Sequence, residues 1–159
     1  GPRRLRRAPP GPCLLPAGGR PVCAAAWGGC ARPPRRTGAR LVASTVEHSA
    51  ILLPGRHAAA AASDPGQFGP VPVDALGRVD LAAWAAALDP PGTAVAALQS
   101  ANGEVGTRQP LEAAHEECRR RGIPLLVDAT AGLGRDATPE SYDVPVSYTH
   151  LTLPTSALV

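Results

Sequence analysis

The chain has 159 residues, a length that suits one modest domain. Its 19 Pro, 17 Gly and only five aromatic side chains leave an apolar content of mostly Ala, Val and Leu, and every one of its 16 basic residues is Arg. No apolar run approaches the ~20 residues of a membrane-spanning helix and no signal peptide is apparent, so we expect no membrane partner.

The net charge of +3 is unevenly distributed. Residues 1–40 carry nine Arg and no acidic residue, and they are rich in Pro and Gly without a sustained hydrophobic period. This composition predicts a disordered or non-homologous head. A basic head on an acidic body can bind nucleic acid, but it contains no nucleic-acid motif, so we expect no such partner. A non-enzymatic, Arg-rich binding protein stays open as an alternative.

The first predicted elements occupy residues 41–73. Residues 41–45 form a strand candidate, and Ser44 with Glu47 fits the S-x-x-E capping box, which predicts that a helix begins there. Pro54 and Gly55 are expected to end or kink this helix. Residues 71–73 are at best a short edge strand, because their central Pro removes a ladder donor.

Residues 80–128 continue the alternation of helix and strand. Asp80 is a predicted N-cap for a helix over 81–88, and residues 95–98 and 124–127 are predicted buried strands. Pro110 is expected at the first position of a helix that runs to Arg121, with Gly122 following its end. Strand, helix, strand in this order predicts an α/β fold with a partial, mostly parallel sheet and flanking helices.

The last of these helices has a clear apolar face. Leu111, Ala114 and Cys118 share that face, while Glu116 and Arg120 form an i,i+4 pair elsewhere on the helix. Cys118 is expected to be a buried structural thiol. The four Cys contain no CxxC pair, so we expect no metal site, and the chain is expected to be reduced and cytoplasmic.

Polar residues follow three of the predicted strands: Glu47-His48, residues 99–104, and residues 128–130. Ligands of open α/β sheets bind beyond the carboxyl ends of the strands. The sequence therefore indicates a ligand site at that edge.

Four segments, at residues 45–52, 73–80, 101–110 and 121–130, resemble motifs of the cysteine desulfurase branch of the class V aminotransferases. They contain the T-x-E-H-x-A-x-L pattern, VDALGRVD, ANGEVGTRQP, and RGIP followed by VDAT. The resemblance covers residues 41 to about 144 and implies part of the large domain of a fold-type I enzyme that depends on pyridoxal 5′-phosphate (PLP).

The resemblance also implies roles for three residues. Asp128 resembles the carboxylate that pairs with the pyridine nitrogen of PLP and keeps it protonated. His48 resembles the imidazole that stacks on the PLP ring and takes part in proton transfer. Asn102 resembles a loop-shaping or near-cofactor residue. The implied reaction converts L-cysteine to L-alanine, with persulfide passed to a sulfur-acceptor protein for iron–sulfur cluster assembly, in a homodimer.

Several features depart from the family pattern. Gly103 and Ala131 stand where the family commonly has Asn and Gln, which contact the phenolic oxygen of PLP. The chain contains no Lys to hold PLP as a Schiff base, and none of its four Cys matches the persulfide-forming residue. We therefore expect an inactive fragment. A different class V activity, such as selenocysteine lyase, remains an alternative.

The domain organisation follows from these boundaries: a head at 1–40, a partial PLP-binding domain at 41–144, and a tail at 145–159. Residues 146–155 resemble a translated sequencing adapter, so the tail is expected to be artefactual.

Overall fold

A computed structural model describes residues 40–131 and the backbone of residues 144–146. In this part of the chain five strands alternate with three helices and a single 3₁₀ turn at Pro65–Gln67. The strands are β1 (Arg40–Ser44), β2 (Phe68–Val71), β3 (Thr93–Gln99), β4 (Leu125–Asp128) and β5 (Val144–Val146). The helices are α1 (Ser49–Ala61), α2 (Leu81–Leu88) and α3 (Leu111–Arg120).

The strands form one sheet in the order β2-β1-β3-β4-β5, and every neighbouring pair is parallel. The α/β class and the parallel sheet predicted from the sequence are therefore confirmed. In the register of the central pair, Gln99 at the end of β3 lies opposite Asp128 at the end of β4. The carboxyl ends of β1, β3 and β4 consequently lie side by side at one edge.

Helices α2 and α3 cover one face of the sheet around Trp84, which is completely buried. The indole Nε1 of Trp84 donates a hydrogen bond of 3.2 Å to the carbonyl oxygen of Ala114, and this bond joins the two helices. A buried indole N–H without a partner is costly, so the bond fixes how α2 and α3 pack. The strands supply further apolar residues of this cluster, among them Val42, Leu98 and Val127.

Helix α1 packs on the opposite face, where Ile51 contacts a smaller apolar cluster that includes Leu41 and Val95. The capping-box prediction for this helix is wrong. The helix begins at Ser49, and the N-cap is His48, whose Nδ1 accepts a hydrogen bond of 3.1 Å from the amide of Ala50. Glu47 does not cap the helix, because its carboxylate accepts a hydrogen bond from the amide of Gln99 on β3.

A helix end at Pro54-Gly55, one of the two outcomes predicted there, is also absent, since α1 continues through both residues to Ala61. Gly55 is buried, and a Cβ atom there would lie 2.7 Å from the ring of Phe68 and 2.9 Å from Leu41. Glycine thus lets the helix approach β1 and β2 closely. An Ala-rich stretch follows, and its high helix propensity supports continuation beyond Pro54.

The remaining element predictions hold with small shifts. The predicted edge strand over 71–73 is wrong in its bounds: β2 lies at Phe68–Val71, at the edge of the described sheet, and it includes Pro70 but not Pro72. Val73 makes only an isolated bridge with Val79. Asp80 caps α2 as predicted. Helix α3 begins after Pro110 and ends before Arg121, one residue inside each expected bound.

Helix α3 has the expected two faces. Ala114 and Cys118 are buried, and Leu111 packs against the same cluster. Glu116 forms the predicted pair with Arg120, at 3.2 Å between its Oε1 and Nε. Gly122 has a φ of +65°, the left-handed conformation expected of a glycine that ends a helix.

The proposed head and tail lie largely outside the described residues. Arg40, assigned to the head, is the first residue of β1, and β5 spans the expected boundary at 144/145. Cys13, Cys23 and Cys30 are outside the described ranges, as are residues 147–159. Among the helices that the structure describes, none is long and apolar enough to cross a membrane.

Candidate functional site

The three polar clusters that follow the strands lie at one edge of the sheet. Glu47 and His48 follow β1, Gln99 ends β3, and Asp128 ends β4. Because β1, β3 and β4 are consecutive in the sheet, the parallel arrangement brings their carboxyl ends together. The amide of Ser100 donates a hydrogen bond of 2.7 Å to the carbonyl oxygen of Asp128, which extends the pairing of β3 with β4 beyond their last residues.

Asp128 is held at this edge by hydrogen bonds from Thr130. Its side chain is buried, and Oδ1 accepts hydrogen bonds from the amide of Thr130 at 3.0 Å and from its hydroxyl at 2.5 Å. Both bonds end on the same oxygen, so Oδ2 takes part in neither. The carboxylate is therefore held in one orientation at the end of a central strand, and its pairing with a cofactor nitrogen stays a prediction.

His48 lies on the short connection between β1 and α1, and its side chain is exposed. Because Nδ1 accepts from the amide of Ala50, that nitrogen is the unprotonated one when the ring is neutral, and Nε2 carries the proton. The cap thus fixes the tautomer and leaves Nε2 as the donor. A proton-transfer role for this imidazole is chemically consistent with the arrangement and stays a prediction.

Asn102 shapes the loop between β3 and α3. Its Oδ1 accepts hydrogen bonds from the amides of Glu104 at 2.9 Å and Val105 at 3.1 Å. The loop is closed further by the bond from Gly106 N–H to the backbone carbonyl of Asn102, and Gly106 has a φ of +72° that glycine adopts without strain. The side-chain oxygen of Asn102 is thus used to hold the turn, which supports the loop-shaping interpretation; contact with a cofactor stays a prediction.

Gly103 and Ala131, the two departures from the family pattern, face each other. A Cβ atom on Gly103 would lie 3.9 Å from the Cβ of Ala131. The β3–α3 loop and the residues after β4 therefore meet at this point with only small side chains on both sides. The Asn and Gln side chains that the family commonly has at these two positions are therefore both absent from the same part of the site.

Glu47 is the residue whose position the sequence analysis missed. Its side chain is 5% exposed, and Oε1 accepts from the hydroxyl of Ser44 at 2.6 Å and from the amide of Gln99 at 2.9 Å. Burial raises the pKa of Glu47 to about 7, and the negative charge of Asp128 acts in the same direction. Its Oε2 is buried and has no hydrogen-bond partner.

Gln109 is a second residue that pattern alone did not identify. Its buried side chain accepts a hydrogen bond of 2.9 Å from the amide of Val79 and donates one of 2.7 Å to the carbonyl of Gly77. These bonds tie the connection before α2 to the start of α3. The one sequence signal was its place in the ANGEVGTRQP segment, directly before a helix.

The described residues contain no group of three or more His, Cys, Asp or Glu side chains placed to hold a metal ion. The arrangement at the sheet edge is instead a pair of buried carboxyl groups, on Asp128 and Glu47, beside the exposed imidazole of His48. Each carboxyl group accepts two hydrogen bonds on one oxygen.

Comparison with known proteins identifies the family to which the chain is similar. The sequence profile of the aminotransferase class V family matches residues 19–138, a stretch that begins within the segment proposed as the head. A cysteine desulfurase of Cereibacter sphaeroides is 37% identical over 105 residues, which are 66% of this chain and 26% of that protein. The chain thus spans about a quarter of the length of this curated relative.

Two solved structures share the fold. DndA from Streptomyces lividans superposes with a TM-score of 0.62 at 27% identity, over 75% of this chain and 32% of that one. A NifS-like protein from Rickettsia africae ESF-5 gives a TM-score of 0.55 at 19% identity, over 68% of this chain and 30% of that one. The α/β fold of the large domain of fold-type I enzymes, predicted from the sequence, is confirmed, and the chain belongs to the class V aminotransferase family.

Proposed function

We propose that the carboxyl edge of the sheet forms the ring-binding part of a PLP site in a cysteine desulfurase-like enzyme. The observation that carries this proposal is Asp128, a buried carboxylate at the end of β4 that Thr130 holds in one orientation. The similarity to a cysteine desulfurase supports L-cysteine as the substrate of the whole protein and L-alanine as the product, with the sulfur passed on as persulfide.

The residues at this edge fit the pyridine ring of PLP. Asp128 would hold the protonated ring nitrogen, because a carboxylate stabilises a cation that it pairs with. His48 would lie against the ring and would hold or move a proton at Nε2. Asn102 keeps the neighbouring loop closed. When bound, PLP supplies an electron sink for a substrate carbanion.

The residues do not fit covalent attachment of the cofactor, because the sequence contains no Lys. We therefore propose that the 159-residue chain is inactive as a desulfurase and that binding of the ring is the property it retains. A homodimer, a sulfur-acceptor protein, a role in iron–sulfur cluster assembly and a cytoplasmic location belong to the same proposal for the whole protein.

Binding of pyridoxamine 5′-phosphate tests the proposal, because this analogue carries the ring and phosphate but no aldehyde. We expect the full chain to bind it, and Asp128→Asn to weaken binding by roughly 10- to 100-fold, since a hydrogen bond to a charged group is worth about 1.5–3 kcal/mol. Isothermal titration calorimetry gives the dissociation constants.

Asp74→Asn is the matched control. Asp74 is an exposed residue whose Oδ1 accepts from the amides of Leu76 and Arg78, and Asn keeps an oxygen at that position. We expect this variant to bind like the unchanged chain. Equal affinity of the Asp128→Asn variant and the unchanged chain would refute a role for Asp128 at the ring.

One observation favours a different class V activity, such as selenocysteine lyase. Gly103 and Ala131 face each other, so the site lacks two polar side chains at one place. A change of ring environment concentrated in this way is compatible with another substrate. Assays of the whole protein with L-cysteine and L-selenocysteine distinguish the two: a higher kcat/KM for L-selenocysteine favours the alternative.

A further inference from the structure

The carboxyl group of Glu47 is almost fully enclosed, yet only one of its oxygens has hydrogen-bond partners. Oε1 accepts from Ser44 and Gln99, whereas the buried Oε2 has none. An ionised carboxylate with an unsolvated, unpaired oxygen is costly, and a proton on that oxygen removes the charge. The enclosure therefore favours the neutral acid.

Glu47 also connects two elements of the site. Its bond to the amide of Gln99 joins the β1–α1 connection to β3, and Gln99 returns a bond of 2.8 Å from Nε2 to the carbonyl of Val46. These two bonds hold both residues that precede His48. The position of the imidazole at the sheet edge thus depends on the side chains of Glu47 and Gln99.

Burial is the largest cause of the raised pKa of Glu47, and the groups that face this residue modify that effect. The hydroxyl of Ser44 on β1 and the backbone amide of Gln99 on β3 are neutral, and both lower the pKa of Glu47 by hydrogen bonding. Asp128 on β4 is the charged group that acts on it, and its negative charge raises that pKa. His48 follows in the chain, with its Nδ1 engaged by the amide of Ala50.

We propose that Glu47 is a positioning residue that fastens the loop bearing His48 to β3 and favours its neutral acid form, so that the protonated pair carries a single negative charge, on Asp128. The importance of that single charge rests on the proposed function, in which Asp128 pairs with a cationic ring nitrogen. The protonation and the fastening are properties of the chain without any cofactor, and they are tested separately.

Titration of the chain without cofactor tests the protonation. With ¹³C-labelled Glu and Asp, we expect the Glu47 carboxyl resonance to titrate near pH 7. Asp128→Asn should lower the pKa of Glu47 part of the way towards its ordinary range, because burial remains when the charge is removed. Titration of Glu47 at an ordinary pKa in the unchanged chain, or no shift in Asp128→Asn, would overturn the charge assignment.

Amide hydrogen exchange tests the fastening. Glu47→Gln keeps an acceptor for the amide of Gln99, so its exchange should stay slow, whereas Glu47→Ala removes the acceptor and should speed exchange roughly tenfold. Unchanged exchange of the Gln99 amide in Glu47→Ala would overturn the fastening role. Should Glu47→Ala fail to fold, Glu47→Asp serves instead, because its shorter side chain withdraws the carboxyl group from Gln99. Unchanged exchange of the Gln99 amide in Glu47→Asp would also overturn the fastening role.

These measurements fail independently of the proposed function. A raised Glu47 pKa together with no binding of pyridoxamine 5′-phosphate would retain the protonation of Glu47 and refute the PLP site. Binding that depends on Asp128 together with an ordinary Glu47 pKa would support the PLP site and refute the protonation of Glu47.

Discussion

Glu47 and His48 are adjacent residues in the connection that follows β1, and their environments are opposite. Glu47 is turned into the sheet edge and buried, and His48 is exposed and caps α1. The sequence predicted that both follow a strand, but it assigned Glu47 to the helix cap. The S-x-x-E pattern specifies a Glu near a helix start without specifying which amide its carboxyl group accepts from. Here the carboxyl group of Glu47 accepts from the amide of Gln99, which is distant in sequence. Only the pairing of β1 with β3 brings these two residues together.

The buried acid makes stability depend on pH. The pKa of Glu47 is raised from an ordinary 4.5 to about 7, so the folded chain binds the proton more tightly than the unfolded chain does. The stabilisation is therefore fully present below about pH 4.5 and is lost as the pH rises through about 7, and at most about 3 kcal/mol is involved. We expect the free energy of unfolding in urea to fall over this interval.

Two variants isolate the contribution of Glu47 to this pH dependence. Glu47→Gln cannot ionise and should remove this part of the decline, while Glu104→Gln, at an exposed site, should retain it. Other titrating groups contribute alike to all three chains. Parallel stability curves for the unchanged chain and Glu47→Gln between pH 4.5 and pH 7 would contradict the expectation.

At the scale of elements, the sequence predicted what local signals determine. Strands β3 and β4 are short apolar runs, and α2 follows a good N-cap, so all three lie close to their expected bounds. The sequence suggested that α1 could end near Pro54 and Gly55, because both residues are strong local helix breakers. The reason it continues is tertiary: Gly55 packs against Phe68 and Leu41, and no local pattern contains that contact.

The N-cap of α2 gives a prediction at this scale. The Oδ1 of Asp80 accepts from the amides of Ala82 at 2.8 Å and Ala83 at 3.0 Å. Asp80→Ala leaves both helix amides without this acceptor and should lower the free energy of unfolding by about 1 kcal/mol. Asp80→Asn keeps an oxygen acceptor and should lose much less. Equal losses in the two variants, measured by chemical denaturation, would show that the cap bonds contribute little.

At the scale of the molecule, the order β2-β1-β3-β4-β5 was beyond local reasoning. The alternation of strand and helix predicted a parallel sheet, but it did not determine which strands are neighbours. That order is what makes the candidate site, because it places Asp128 beside Gln99 and, through Glu47, next to the loop of His48. The sequence could assign roles to His48 and Asp128 only through family resemblance, and the same resemblance placed Gly103 and Ala131 at one atom of the cofactor, the phenolic oxygen of PLP.

The absence of lysine yields a final prediction for the whole chain. Borohydride reduction in the presence of PLP attaches the cofactor to primary amines, and this chain offers no Lys side chain for that reaction. We expect mass spectrometry of the proteolysed chain to find the pyridoxyl label on the N-terminal peptide alone. Incubation with L-cysteine and PLP should produce alanine no faster than PLP by itself, since no side chain holds the cofactor covalently. Asp128→Asn is the internal control: it should weaken binding of pyridoxamine 5′-phosphate without altering the labelling. Alanine formation above the PLP blank that is lost in Asp128→Asn would contradict the expected inactivity and would assign catalysis to a noncovalently bound cofactor.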